Sequence, residues 1–176
     1  MSFRRARYSK IEAMVLGLLD QHAQTKPPVR IERIAKDLGV ELRSGDLGDV
    51  SGILVRQGSS AVIGINGTQS LQRQRFTIAH ELGHFLLHEG ITNHVDKSYR
   101  VNFRSIESSQ ATNVEEIEAN FFAASILMPK KMLDAQSAEE ALDNDTSVAN
   151  LARQFQVSRL AMSLRLANLY EHATPF

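Results

Sequence analysis

The sequence predicts a single α+β domain, and three observations carry that reading. Helical periodicity opens and closes the chain, short strand-like segments cluster before residue 67, and no stretch rich in Pro, Gly or Ser divides the two. At 176 residues the chain has the length of one ordinary domain and can bury a real core. With 43% hydrophobic and 23% charged residues, disorder does not describe it. Twenty Lys+Arg balance twenty Asp+Glu, a net charge that argues against non-specific nucleic-acid binding as the main task. The absence of cysteine excludes disulfides, thiolate zinc sites and cysteine nucleophiles. Three of the six histidines are spaced four apart.

The first helix is expected from about Lys10 to Ala23, opened by a Ser9/Glu12 capping box and ended before Pro27-Pro28. Arg4, Arg5, Arg7 and Lys10 ahead of Ile11–Leu19 loosely resemble a signal peptide. Glu12 interrupts the apolar run and no small-residue cleavage site follows. No stretch approaches the ~18 apolar residues of a membrane span, so a soluble, cytoplasmic protein is expected. A short helix near Ile31–Leu38 should stop at Gly39, with Val40–Leu42 as a first strand. Ser51–Val55 and Ser60–Ile65 form a hairpin about Gln57-Gly58-Ser59, and Asn66-Gly67 makes the next turn. The strongest helical segment runs from Gln69 to His88, with a core stripe of Leu71, Ile78, Leu82 and Phe85.

Residues 89–110 read as a long polar loop. The next helix opens at an Asn113/Glu116 capping pattern, buries Val114, Ile117, Phe121 and Ala124, and ends at Pro129. Two short helices follow, built on Val148, Leu151, Ala152 and Phe155 and then on Leu160, Leu164 and Ala167, with Ser158 capping the second. Within the one domain this gives an N-terminal helix (1–27), a sheet with the metal-site helices (28–130) and a helical C-terminal part (131–176), helix-turn-helix-like at 147–169.

His80-Glu81-Leu82-Gly83-His84 is an HExxH sequence inside the strongest helix. Residues i and i+4 project from one face a turn apart, so two imidazoles can converge on one ion. Glu81 lies about 100° further round, beside the metal, where it can take a proton from the activated water and pass it to a leaving amine. Zinc suits the role because it is redox-inert and accepts imidazole and carboxylate. Chance alone would produce HExxH on the order of once in a hundred such chains. Gly83, costly inside a helix, makes sense if another backbone approaches closely.

A third ligand is needed. His88 continues the i+4 series but stands about 12 Å from His80 along a straight helix, too far to share one ion. It is expected behind the ligands, facing substrate, or as a cation at the helix C-terminus. Glu115 and Glu116 fall in a first helical turn, where capping and dipole complementarity explain them. Glu118 lies deeper, beside the apolar stripe and before small Ala119, and is the expected ligand, with Glu115 next.

These segments resemble the ImmA/IrrE family of metallopeptidases. The resemblance is carried by Gln74-Arg75-Phe76-Thr77-Ile78-Ala79 running into HELGHFLLH, and by Glu118-Ala119-Asn120-Phe121-Phe122-Ala123-Ala124 ending at Leu127-Met128-Pro129. It spans most of residues 28–170. It implies a zincin-like fold, a small β-sheet packed on the HExxH helix, with His80, His84 and Glu118 as zinc ligands and Glu81 as catalytic base. It also implies a cytoplasmic endopeptidase that cleaves a helix-turn-helix repressor. The chain ends soon after the helical pair, so the C-terminal sensor domain of larger relatives is expected to be absent.

His88, His94, Tyr99 and Arg100 are the candidates for contacts to substrate or transition state. Ala61, Val62, Ile63, Gly64 and Ile65, leading directly to the metal helix, are expected as the edge strand that pairs with substrate backbone. The rival reading is a non-catalytic regulator that binds DNA or a repressor through residues 147–169, with Arg153, Arg159 and Arg165 facing phosphates. Helical pairs are common packing units, and zero net charge offers DNA little attraction.

Overall fold

The structure is a computed structural model and describes residues 6–58, 60–88, 93–96, 114–142 and 144–171. Its element order is α1 (Tyr8–Gln21), α2 (Ile31–Asp37), β1 (Val40–Gly45), β2 (Gly52–Gln57), β3 (Ser60–Asn66), α3 (Leu71–Leu87), β4 (Asn93–Asp96), α4 (Val114–Leu127), α5 (Lys130–Asp134), α6 (Asp145–Phe155) and α7 (Arg159–Leu166). The α+β class follows directly.

The four strands form one sheet in the order β1-β3-β2-β4. β2 and β3 make the expected hairpin, with Gln57 opposite Ser60 and Leu54 opposite Ile63. β1 runs parallel to the far side of β3, and β4 runs antiparallel to β2. Burial of Ala61, Ile63 and Ile65 follows the two-residue period of a strand with one face on the core. The Ala61–Ile65 strand is therefore interior, hydrogen-bonded on both sides, and cannot be the edge that was expected to pair with substrate. Among the described residues β4 occupies one edge, inside the stretch expected to be an irregular loop. Its four residues carry little strand signal of their own and are ordered by pairing with β2.

Asn66 anchors the turn into α3. Its side-chain amide donates to the Gly48 and Val50 carbonyls, while its Oδ1 accepts from the backbone N–H and hydroxyl of Thr68. Ser70 then caps α3, accepting from the Arg73 N–H. At the other end Arg56 of β2 donates to the carbonyls of His84, Phe85 and His88, satisfying the orphan acceptors of the last turn. Gly39 takes a left-handed conformation (φ 79°) after α2, as its capping role requires.

Three local expectations are corrected. α1 starts at Tyr8, so Ser9 lies inside the helix and Arg7 is the N-cap without a side-chain cap bond. Leu71 is 73% exposed, because it sits in the first turn of α3, ahead of the buried run that starts at Arg75. On α4 the buried residues are Glu118, Ala119 and Phe122–Leu127, whereas Val114, Ile117 and Phe121 are only half-buried. That helix is covered on two sides, by α3 and by α1, with Tyr8 edge-on to Phe121 at 4.7 Å between ring centroids.

Among the described residues no helix is long and apolar enough to cross a membrane. α6 and α7 form the expected pair, joined by Gln156 in the left-handed region and capped by Ser158, which accepts from the Ala161 N–H. However, α7 buries Ala161, Met162, Arg165 and Leu166, and Leu160, expected in its stripe, is 59% exposed in the first turn.

Candidate metal centre

The centre lies where α3 crosses α4. Gly83 makes the crossing close: a Cβ there would stand 3.1 Å from Phe122 Cδ1 and 3.2 Å from Ala119 Cα. The close backbone approach expected from that glycine is present. Across the crossing α4 presents Glu116, Ala119, Asn120 and Ala123, spaced three and four apart on one helix face.

His80, His84 and Glu116 bring one ligand atom each to a common point. The His80 and His84 Nε2 atoms are 3.1 Å apart; Glu116 Oε1 lies 3.2 Å from His84 Nε2 and its Oε2 lies 3.4 Å from His80 Nε2. Bonds of about 2.0–2.1 Å at tetrahedral angles place donor atoms about 3.3 Å from one another. Each Glu116 oxygen thus stands at about that spacing from one imidazole nitrogen, and one donor atom from each of the three residues lies within 4.8 Å of the other two. The chemistry of the group also fits, with two borderline nitrogens and one hard oxygen, the donor types zinc accepts. Both histidines are buried, while the Glu116 side chain is 36% exposed, so the site opens to solvent on the Glu116 side.

The surrounding residues orient these ligands. His80 Nδ1 lies 2.8 Å from Asn120 Oδ1, an acceptor that holds the proton on Nδ1 and leaves Nε2 free for a metal. His84 Nδ1 lies 3.1 Å from His88 Nδ1, and His88 Nε2 lies 3.1 Å from Glu118 Oε2. His88 thus stands behind the ligand set, one of the places expected for it, and is buried there.

Glu118, the expected third ligand, is outside the group. It is buried and needs a partner, as reasoned, but the partners are Arg7 and His88. Arg7 donates to it from its backbone N–H at 2.9 Å, from Nε at 2.9 Å and from Nη2 at 2.6 Å. The Arg7 hydrogen bond, with His88 adding to it against the cost of burial, holds the Glu118 carboxyl down at about 2. Two residues from Glu116 on a helix is about 200° of rotation, so one cannot substitute for the other. Glu115 is half-buried and lies outside the group too. The signal for Glu116 was Asn120 one turn later, with Ala119 and Ala123 marking the face of closest approach.

Glu81 is fully buried between α3 and β2. A Cβ on Gly52 of β2 would stand 3.4 Å from Glu81 Cγ and Oε1, and 2.3 Å from Thr77 Cγ2. Only glycine lets β2 lie this close, a requirement that sequence reasoning missed. His94 is on β4 opposite Leu54. Tyr99 and Arg100 lie outside the described residues.

The family model of the IrrE N-terminal-like domain of peptidase M78 matches residues 35–167. The chain belongs to the ImmA/IrrE family. It is 29% identical over 96 residues to metallopeptidase ImmA of Bacillus subtilis, an alignment covering 54% of this chain and 52% of that one. It is 33% identical over 99 residues to the radiation response metalloprotease IrrE of Deinococcus radiodurans, covering 55% of this chain and 28% of that one. The chain thus spans about half of ImmA's length and a smaller part of IrrE's. Metallopeptidase relatives imply a divalent metal, and the His80–His84–Glu116 group is where this family member can hold it.

In the C-terminal pair, Arg165 does not face outward as the DNA-binding reading needs. It is buried and donates to the Met128 carbonyl, with its guanidinium 5.9 Å from the Phe121 ring centroid. Arg159 pairs with Asp145, and Arg153 with Asn150.

Proposed function

We propose that this chain is a zinc-dependent endopeptidase of zincin-like fold, with His80, His84 and Glu116 as ligands and Glu81 as general base. The observation that carries the reading is the His80–His84–Glu116 group, with Nε2 atoms 3.1 Å apart and a Glu116 oxygen 3.2–3.4 Å from each, brought together by an HExxH helix and a glutamate from a second helix. Zinc bound there supplies Lewis acidity and brings the pKa of water towards 7. Asn120 and His88 hold the two imidazoles with Nε2 forward. Glu81, buried beside Gly52, accepts a proton at its carboxylate and delivers it to the leaving amine. Its low-dielectric setting and fixed position favour that transfer.

For substrate, β4 is the sheet edge beside β2 among the described residues, β2 is the strand that touches Glu81, and Val95 of β4 is 45% exposed. An extended peptide adding to β4 by backbone pairing would bring its carbonyls towards the centre. The ImmA/IrrE membership supports a protein substrate, and we propose a helix-turn-helix repressor, cleaved in the cytoplasm to release its genes. Burial of Arg165 favours a packing or docking role for α6 and α7 over DNA contact.

The test is Glu81→Gln, assayed by mass spectrometry on purified helix-turn-helix repressors encoded beside the protein. The variant should keep its zinc and lose cleavage. Cleavage at the wild-type rate would overturn the mechanism. A salt-dependent, sequence-specific mobility shift by a chain with no peptidase activity would establish the regulator reading instead.

A further inference from the structure

A line of close polar contacts runs behind His84 and gives the metal-binding tautomer a consistent set of partners. His84 Nε2 faces His80 Nε2 and Glu116 at 3.1 and 3.2 Å, so in the metal-binding state that nitrogen carries its lone pair and Nδ1 carries the proton. His88 Nδ1 lies 3.1 Å from that Nδ1 and can accept its proton. A neutral His88 accepting at Nδ1 carries its proton on Nε2, and Nε2 lies 3.1 Å from a Glu118 oxygen. Glu118 accepts in turn from three nitrogens of Arg7, whose Nη2 also donates to the Leu87 carbonyl at 3.2 Å. The links converge on the Glu118 carboxylate, which accepts from His88 on the ligand side and from Arg7, just ahead of the first helix, on the other.

We propose that Arg7, Glu118 and His88 are positioning residues for the metal centre: they lock the His84 ring and tautomer, so the segment that enters α1 sets the affinity of a site 73 residues away in sequence or more. A carboxylate behind a ligating imidazole is a familiar way to raise its basicity and fix its plane. Here a second imidazole stands between them, and an arginine from the opposite end of the chain holds the carboxylate. His80 has its own support in Asn120, so loss of the Arg7 chain loosens one ligand and leaves the other in place. The proposal rests on the metal-site reading above.

The experiment measures zinc affinity of the full chain by competition with a chromophoric chelator, with Co²⁺ absorption as a spectroscopic check. His88→Leu removes the acceptor while filling the space, and should weaken zinc about 10- to 100-fold. His88→Asn returns an acceptor near the Nδ1 position and should recover most of that loss. A purely space-filling role for His88 predicts the reverse order of the two. Arg7→Met, at a side chain 37% exposed, should weaken zinc about 10-fold, and Arg7→Lys, which keeps a cation beside the buried Glu118 but loses the guanidinium fork, should weaken it less and carries the test if His88→Leu does not fold. Wild-type affinity in both His88→Leu and Arg7→Met would overturn the proposal while leaving the metal site standing. Failure of the wild type to bind zinc, with His80→Ala no different, would remove the metal-site reading and this proposal together.

Discussion

Replacing Gly52 by alanine puts a methyl group where α3 leaves no room, and the consequences can be worked out atom by atom. The new Cβ would stand 2.3 Å from Thr77 Cγ2, against the roughly 3.5–4.0 Å at which carbon atoms rest. Thr77 is buried, β-branched and inside a helix, so its rotamer has little freedom to turn away. β2 must therefore move outward by about an ångström, an overpacking that costs about 1–3 kcal/mol. For a chain of this size each kcal/mol lowers Tm by about 2–4 °C. The same Cβ lies 3.4 Å from Glu81 Cγ and Oε1, so the shift falls on the proposed base. A misplacement of that size can lower kcat about 100-fold. The His80 and His84 donors are untouched, and zinc affinity should stay within about threefold, well short of the 10- to 100-fold loss of a lost supporting bond. Thermal melts, zinc competition and peptidase assays read the three quantities separately. Adding Thr77→Ser removes Cγ2 and should restore much of the stability, a coupling that a double-mutant cycle measures. A Gly52→Ala variant with wild-type Tm and kcat would refute the reasoning.

Asn120→Ala takes the acceptor from His80 Nδ1 and should weaken zinc about 10-fold or more, read by chelator competition. At the C-terminal side, Asp134 lies below its ordinary 3.8 because of Lys130 first and Tyr170 second. A carboxyl depressed on folding adds stability that is complete above the unfolded value and is lost as pH falls through the folded one. Asp134→Asn should therefore lower Tm at pH 6, and the gap to the wild type should narrow as pH falls below the ordinary carboxylate range. A constant gap across that range would contradict the assignment.

The parts of the fold that were legible in the sequence are those set by local chemistry. HExxH reads from five residues because helix geometry alone converges the imidazoles. The β2–β3 hairpin, the Gly39 and Ser158 caps and the close approach at Gly83 read for the same reason. What could not be read depends on distant partners. Glu118 was chosen because a buried carboxylate needs a cation or a metal, and the cation is Arg7, 111 residues earlier. Glu116 was explained away by its first-turn position, although Asn120, Ala119 and Ala123 on the same face marked it. Hairpin logic pairs β3 with β2 but says nothing of its other side, which β1 fills. Arg165 looked available to phosphates until α4 and the Met128 carbonyl buried it.

Zinc affinity of the wild type against Glu116→Ala and Glu118→Gln tests the central claim most directly. The account predicts about one tight zinc per wild-type chain, a loss of orders of magnitude in Glu116→Ala, and a smaller weakening in Glu118→Gln, within the 10- to 100-fold of a supporting residue. Wild-type affinity in Glu116→Ala, with zinc lost in Glu118→Gln, would contradict it and move the third ligand to Glu118.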